Sequence, residues 1–135
     1  MKEVNEEEAN KELEKRYGKA EVLINNDDKM EKFLRKLEKK LKVIPIAGSA
    51  LSNIPIMISM IKNYIKKEYT EAPIGTIVAI VSALIYFLAP IDLIPDFFAG
   101  IGFADDAAVI AACVKLIHDD LEEYKKWREE NGIGE

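Results

Sequence analysis

The chain is poor in the residues that carry most enzyme and metal chemistry, with one cysteine and one histidine among its 135 residues. A lone Cys113 excludes an intrachain disulfide and a cysteine zinc cluster, and its place in the apolar run Ala107 to Val114 predicts a buried thiol. His118 stands beside Asp119 near the middle of a helical stretch, about 140° round the helix from Cys113, which is the wrong side for a nucleophile and its base. No nucleophile elbow, phosphate loop or zinc-protease pattern occurs. Gly100 and Gly102 do not open a G-x-G-x-x-G motif, because Asp105 occupies the third glycine's place. No catalytic residue is therefore expected. A surplus of positive charge is missing too: 19 Lys and Arg against 24 Asp and Glu give a net charge of −5, which argues against general nucleic-acid binding. Residues 1 to 16 lack the apolar core of a cleavable signal sequence, so the N-terminus is expected to stay on the side where it is made.

What is present is strongly segregated. The hydrophobic fraction of 49% and charged fraction of 32% look ordinary as averages, but the middle of the chain is nearly charge-free and its ends are dense in Lys and Glu. The length suits one domain, with charged amphipathic helices over 1–42 joined in a single unit to a helical region over 43–135. Residues 3 to 24 read as a charged helix with a thin stripe at Ala9, Leu13, Tyr17 and Ala20 and a weak point at Gly18. Asn25 to Asp28 is a break, and Asp28 with Glu31 has capping-box spacing for a second helix to about Lys42. Its stripe is Met30, Phe33, Leu34, Leu37 and Leu41, while Lys29, Lys32, Arg35, Lys36, Lys39, Lys40 and Lys42 cover the rest. Such a basic amphipathic helix either lies on an anionic membrane or packs its stripe on the core under a solvated basic face. Pro55 predicts a kink or a fresh helix start near Asn53, with the helix running to about Tyr69.

Ala72 to Ile91 carries no charge and is apolar all round. A helix from Pro73 to Leu88, ended by Pro90, would be roughly 24 Å long, slightly short of a hydrocarbon core of about 30 Å. It is either a membrane segment or the central helix of a soluble bundle. A final helix is expected from Asp105 or Asp106 to about Asn131, with Val109, Ile110, Cys113, Val114, Ile117, Leu121 and Tyr124 in one stripe. No strand pattern occurs, so the fold class is all-α: a small bundle around an apolar hairpin joined by an Asp-, Pro- and Gly-rich turn. Lys62, Lys66 and Lys67 precede that hairpin and Lys115, Lys125, Lys126 and Arg128 follow it, which by the positive-inside tendency puts both termini in the cytoplasm if the hairpin enters a membrane.

The turn holds four aspartates, Asp92, Asp96, Asp105 and Asp106, among apolar neighbours. Burying a carboxylate is costly, so each needs a partner. Three readings stay open: helix capping by Asp92 and by Asp105 or Asp106, a set of hard oxygen ligands for Mg²⁺ or Ca²⁺, and a proton or ion relay inside a bilayer. Pro90, Pro95, Gly100 and Gly102 are read as turn-forming residues. The loop lacks the alternating ligands of an EF-hand, and neither His nor Glu accompanies the acids.

The run Tyr86-x-x-x-Pro90-Ile91-Asp92-Leu93-Ile94-Pro95-Asp96, followed by Gly102-x-x-Asp105-Asp106 and, further on, Trp127, resembles the YkvA family, a bacterial domain of unknown function. The likeness covers the last half of the chain, with Pro90, Asp92, Pro95, Asp96, Gly102, Asp105 and Asp106 at motif positions. It implies a small multi-pass or membrane-associated helical protein of the cytoplasmic membrane, without an established catalytic activity or cofactor. Its expected partners are the lipid bilayer and a protein or second copy of itself, with a soluble interaction module and an ion-handling subunit as the alternatives.

Overall fold

The computed structural model describes residues 6–43, 51–93 and 99–132, and their regular structure is helical throughout. Seven α-helices follow in order: α1 (Glu6–Glu14), α2 (Tyr17–Ile24), α3 (Asp27–Val43), α4 (Ile54–Ile65) after a short 3-10 turn at Leu51–Asn53, α5 (Ile74–Leu93), α6 (Ala99–Leu116) and α7 (His118–Glu130). The all-α expectation holds. One buried cluster draws on all seven, from Ala9 and Leu13 through Met30, Leu37, Met57 and Ile61 to Val109, Leu121 and Tyr124.

α5 is the axis of the bundle. Every residue from Ile77 to Leu84 is buried, so a helix that is apolar on all sides is met by protein on all sides. α6 packs alongside it, α1 lies along both, α2 covers α5, and α3 and α4 close the remaining faces. The α3 stripe faces the core as the second reading of that helix expects: Met30, Leu34 and Leu37 are buried, with Phe33 and Leu41 partly so.

Several boundaries differ from expectation, each for a local reason. The first charged helix is two helices, because the chain turns at Lys15 and Arg16, two residues before the weak point at Gly18. Asn26, not Asp28, caps α3: its Oδ1 accepts the backbone N–H of Lys29 at 3.0 Å, the bond an N-cap side chain makes to the first turn. Pro55 does open α4. That helix stops at Ile65 rather than Tyr69, because Lys67 takes a φ of 63° and the Asn63 carbonyl receives the N–H groups of both Glu68 and Tyr69. The final helix breaks at Ile117, whose backbone leaves the helical region while its side chain stays buried at 3% exposure. Asp119 and Asp120 then fall in the first turn of α7, where carboxylates complement the positive end of the helix dipole.

Pro90 does not end α5, which continues to Leu93. A proline inside a helix withdraws one backbone donor and crowds the preceding turn. In the turn before it the Lys40 ammonium, from α3, bonds the Phe87 carbonyl and lies 4.1 Å from the centre of the Phe87 ring.

Candidate functional site

The acid-bearing motif lies at one end of the α5–α6 hairpin. Asp92 is in the last turn of α5. Asp105 and Asp106 lie within α6, beyond its first turn. None of the three stands at the N-terminus of a described helix, because α6 begins earlier and α5 ends later than the turn chemistry suggested. Likewise Pro90, Gly100 and Gly102 belong to helices instead of turns. Asp96 and Pro95 fall outside the described residues, and the cation reading of the four acids depends on side chains that are not described. Among the described residues no group of three or more His, Cys, Asp or Glu is placed to hold a metal ion.

Next to this end the structure puts a residue that periodicity assigned to the solvated basic face. Lys40 is 4% exposed, the one buried cation among the described residues. It lies three residues beyond Leu37 and at the border of the apolar stripe, so helical phase carried the signal, and its chemical type hid it. The other bases of α3, namely Lys29, Lys32, Arg35, Lys36, Lys39 and Lys42, are exposed as expected. They continue onto α4 across a cleft of about 300 Å³ floored by Leu34 and Ile65 and edged by Arg35, Lys62 and Lys66. Lys62 is paired with Glu38 at 2.5 Å and Arg35 with Glu31 at 3.6 Å.

At the opposite end of α5 a polar network escaped the sequence reading. The Tyr124 hydroxyl donates to Asn63 Oδ1, and Ser59 Oγ lies 2.5 Å from the same hydroxyl, whose single proton is already engaged, so Ser59 is the donor. Asn63 Nδ2 donates to Glu68 at 2.7 Å, and Thr76 Oγ1 donates to Asp120 at 2.5 Å. Tyr69, Tyr124 and Trp127 pack as a trio, with centroids 5.1 Å apart for Tyr69–Tyr124 and 5.9 Å for the stacked Tyr124–Trp127 pair. Burial raises the hydroxyl pKa of Tyr124, offset partly by the Ser59 bond and by Arg128. Cys113 is buried as expected, its Sγ 3.5 Å from the Ala79 carbonyl, and burial pushes its thiol pKa up to about 12. His118 is exposed beside Asp119 and reaches neither Cys113 nor a second base among the described contacts.

The comparisons with known proteins fall on this hairpin. Residues 76–112, from the first turn of α5 into α6, match the family described as Protein of unknown function (DUF1232). Over 78 residues the chain is 33% identical to the "Uncharacterized membrane protein YkvA" of Bacillus subtilis (strain 168), an alignment that covers 58% of this chain and 74% of that protein. The chain belongs to the YkvA family. The family model thus covers the enclosed axis of the bundle together with its motif end, while α1, α2, α3, α4 and α7 lie outside residues 76–112. No solved structure matches the chain. Among the described residues no helix is long and apolar enough to cross a membrane.

Proposed function

We propose that this YkvA-family protein is a membrane-associated helical protein with a structural or interaction role, which meets the cytoplasmic face of an anionic bilayer through the basic side of α3 and the end of α4. The observation that carries this reading is the sign pattern. α3 has seven bases against four acids, and all its bases but Lys40 point outward, whereas α1 has five glutamates against one lysine. A Lys or Arg near an anionic lipid surface contributes about 1 kcal/mol, attenuated within a Debye length. Several such residues on one face suffice for a reversible hold. The apolar stripe of α3 is occupied by the core, so this contact is electrostatic and not an insertion of that helix. The description of the B. subtilis relative as a membrane protein supports a membrane location. Both termini are assigned to the cytoplasm, and the role is taken as non-catalytic.

The test is flotation of the full chain with vesicles of phosphatidylglycerol and phosphatidylethanolamine against vesicles of phosphatidylcholine. Binding to the anionic vesicles that falls with salt, and falls at least tenfold in K36E/K39E, is expected. Equal binding to both compositions, or none, would count against the reading. A second reading, a soluble bundle acting as a protein-interaction module, is favoured by the enclosure of Ile77 to Leu84; it predicts no vesicle binding at any salt.

A further inference from the structure

The two walls that enclose α5 are held by different means. α4 and α7 are tied to each other by the buried Ser59–Tyr124–Asn63 chain, and α7 is tied to α5 by the Thr76–Asp120 bond. α1 and α2 are short, nine and eight residues, below the length at which isolated helices persist in water. Among their described residues they bury completely Ala9, Leu13 and Ala20, two of them the smallest side chain that counts as apolar, with Tyr17, Leu23 and Ile24 packed partly against the core. Their ion pairs are internal: Arg16 binds the side chain and the carbonyl of Glu12. A charged contact from the segment joining them reaches the hairpin where Arg16 lies over the Tyr86 ring at 4.8 Å.

We propose that the face of α5 beneath α1 and α2 is a lipid-contact surface, and that α1 and α2 are a displaceable cover which that surface exchanges for an anionic bilayer. The inference rests on the membrane reading above and deepens it. The charge pattern gives the exchange a direction. An anionic surface attracts α3 and repels α1, so the approach that docks the basic face also loosens the cover. What the cover leaves behind is charge-free along Ile74 to Leu88, a surface with no reason to prefer water. The exchange needs no full span: a hairpin seated shallowly in the interface gains the same apolar contact. The break at Asn25 and Asn26 lets α1 and α2 leave while α3 keeps its place on the core.

Hydrogen exchange on the intact full-length chain, free and bound to phosphatidylglycerol–phosphatidylethanolamine vesicles, tests this. Amides of residues 6–24 are expected to exchange at least tenfold faster in the bound state while those of α7 keep their protection. Flotation of two variants supplies the control. Leu13→Ala weakens the cover and is expected to raise the vesicle-bound fraction several-fold, whereas Leu121→Ala, which removes an equally buried leucine from α7, is not. Binding with residues 6–24 still protected overturns the cover and leaves the membrane reading standing. Equal enhancement by both variants overturns it as well, because general unfolding then drives the binding. If neither the native chain nor Leu13→Ala binds vesicles, both readings fall.

Discussion

Among the described residues, one side of α5 is locked by polar bonds and the other is held by apolar contact. On the α4–α7 side each buried polar group has a specific mate, and three aromatic rings interleave around it. On the α1–α2 side the contact is a stripe of small and medium apolar residues whose exposed charges pair among themselves. Apolar contact supplies most of the stabilisation in both cases. Hydrogen bonds add little net energy but penalise every alternative arrangement, because breaking one partner leaves the other buried and unpaired. The lesson is that burial alone does not tell a permanent wall from a removable one. The polar pairing within the wall does.

The largest effect expected is from breaking the locked side. Tyr124→Ala removes a fully buried ring and strands Asn63 and Ser59, and should cost about 4 kcal/mol in urea unfolding. Tyr124→Phe keeps the ring and removes the hydroxyl, and should cost about 1–2 kcal/mol. If the two variants lose the same amount, the hydroxyl network is what holds the wall. If Tyr124→Phe is neutral, the contrast between the walls is one of ring packing alone and the distinction drawn above is gone.

A smaller effect comes from the seam between the walls, where Cys113 serves as a reporter. Tyr17, the first residue of α2, has its pKa raised first by burial and then by Glu14 and Cys113, and Cys113 Sγ itself lies against the Ala79 carbonyl of α5. The folded chain holds the Cys113 proton to about pH 12, against 9.0 for an ordinary thiol. Above pH 9 the unfolded chain therefore carries fewer protons than the folded one, so stability is intact below that pH and declines as pH climbs toward 12. At pH 10.5 the loss from this group is about 2 kcal/mol. Urea midpoints at pH 7, 9 and 10.5 measure it, and Cys113→Ala should remove that part of the slope. The same thiol sharpens the comparison kinetically. Its reaction with an aromatic disulfide should be several-fold faster in Leu13→Ala and unchanged in Tyr124→Phe, if the thin side is the one that opens.

The sequence made some of this arrangement readable and hid the rest for reasons that can be named. Ala9, Leu13 and Ala20 are buried as their spacing implies, and Pro55 starts a helix where proline is tolerated. These are decisions made within one turn of helix. Enclosure of Ile77 to Leu84 was left open, because a helix apolar on every face looks the same whether lipid or protein surrounds it. The expected helix end at Pro90 failed for a related reason. Turn chemistry is a local preference, whereas α5 runs past its proline inside a fold that brings Lys40 to the Phe87 carbonyl, 47 positions away in sequence. The family motif was legible as a pattern. What its acids contact is decided by the tertiary fold, and α3 and α5 meet there only after the chain has closed.

The smallest effect concerns the inside of α5 itself. Among the described residues, Ser82 Oγ is the one buried side-chain oxygen or nitrogen without a hydrogen-bond partner, and the residue is 0% exposed. A hydroxyl buried without a mate costs about 1–3 kcal/mol relative to water. Ser82→Ala deletes it in a helix where alanine is the better former, so stability should rise by about 1 kcal/mol, against the usual direction for a core substitution. Urea unfolding of that variant settles whether the axis of the bundle is tuned for stability in water. A gain means the native chain keeps a costly hydroxyl in its core, as expected if α5 also has to meet a second environment in which Ser82 finds a partner. A loss means Ser82 already has one in the closed bundle, and both sides of α5 are then better satisfied than the comparison between them assumes.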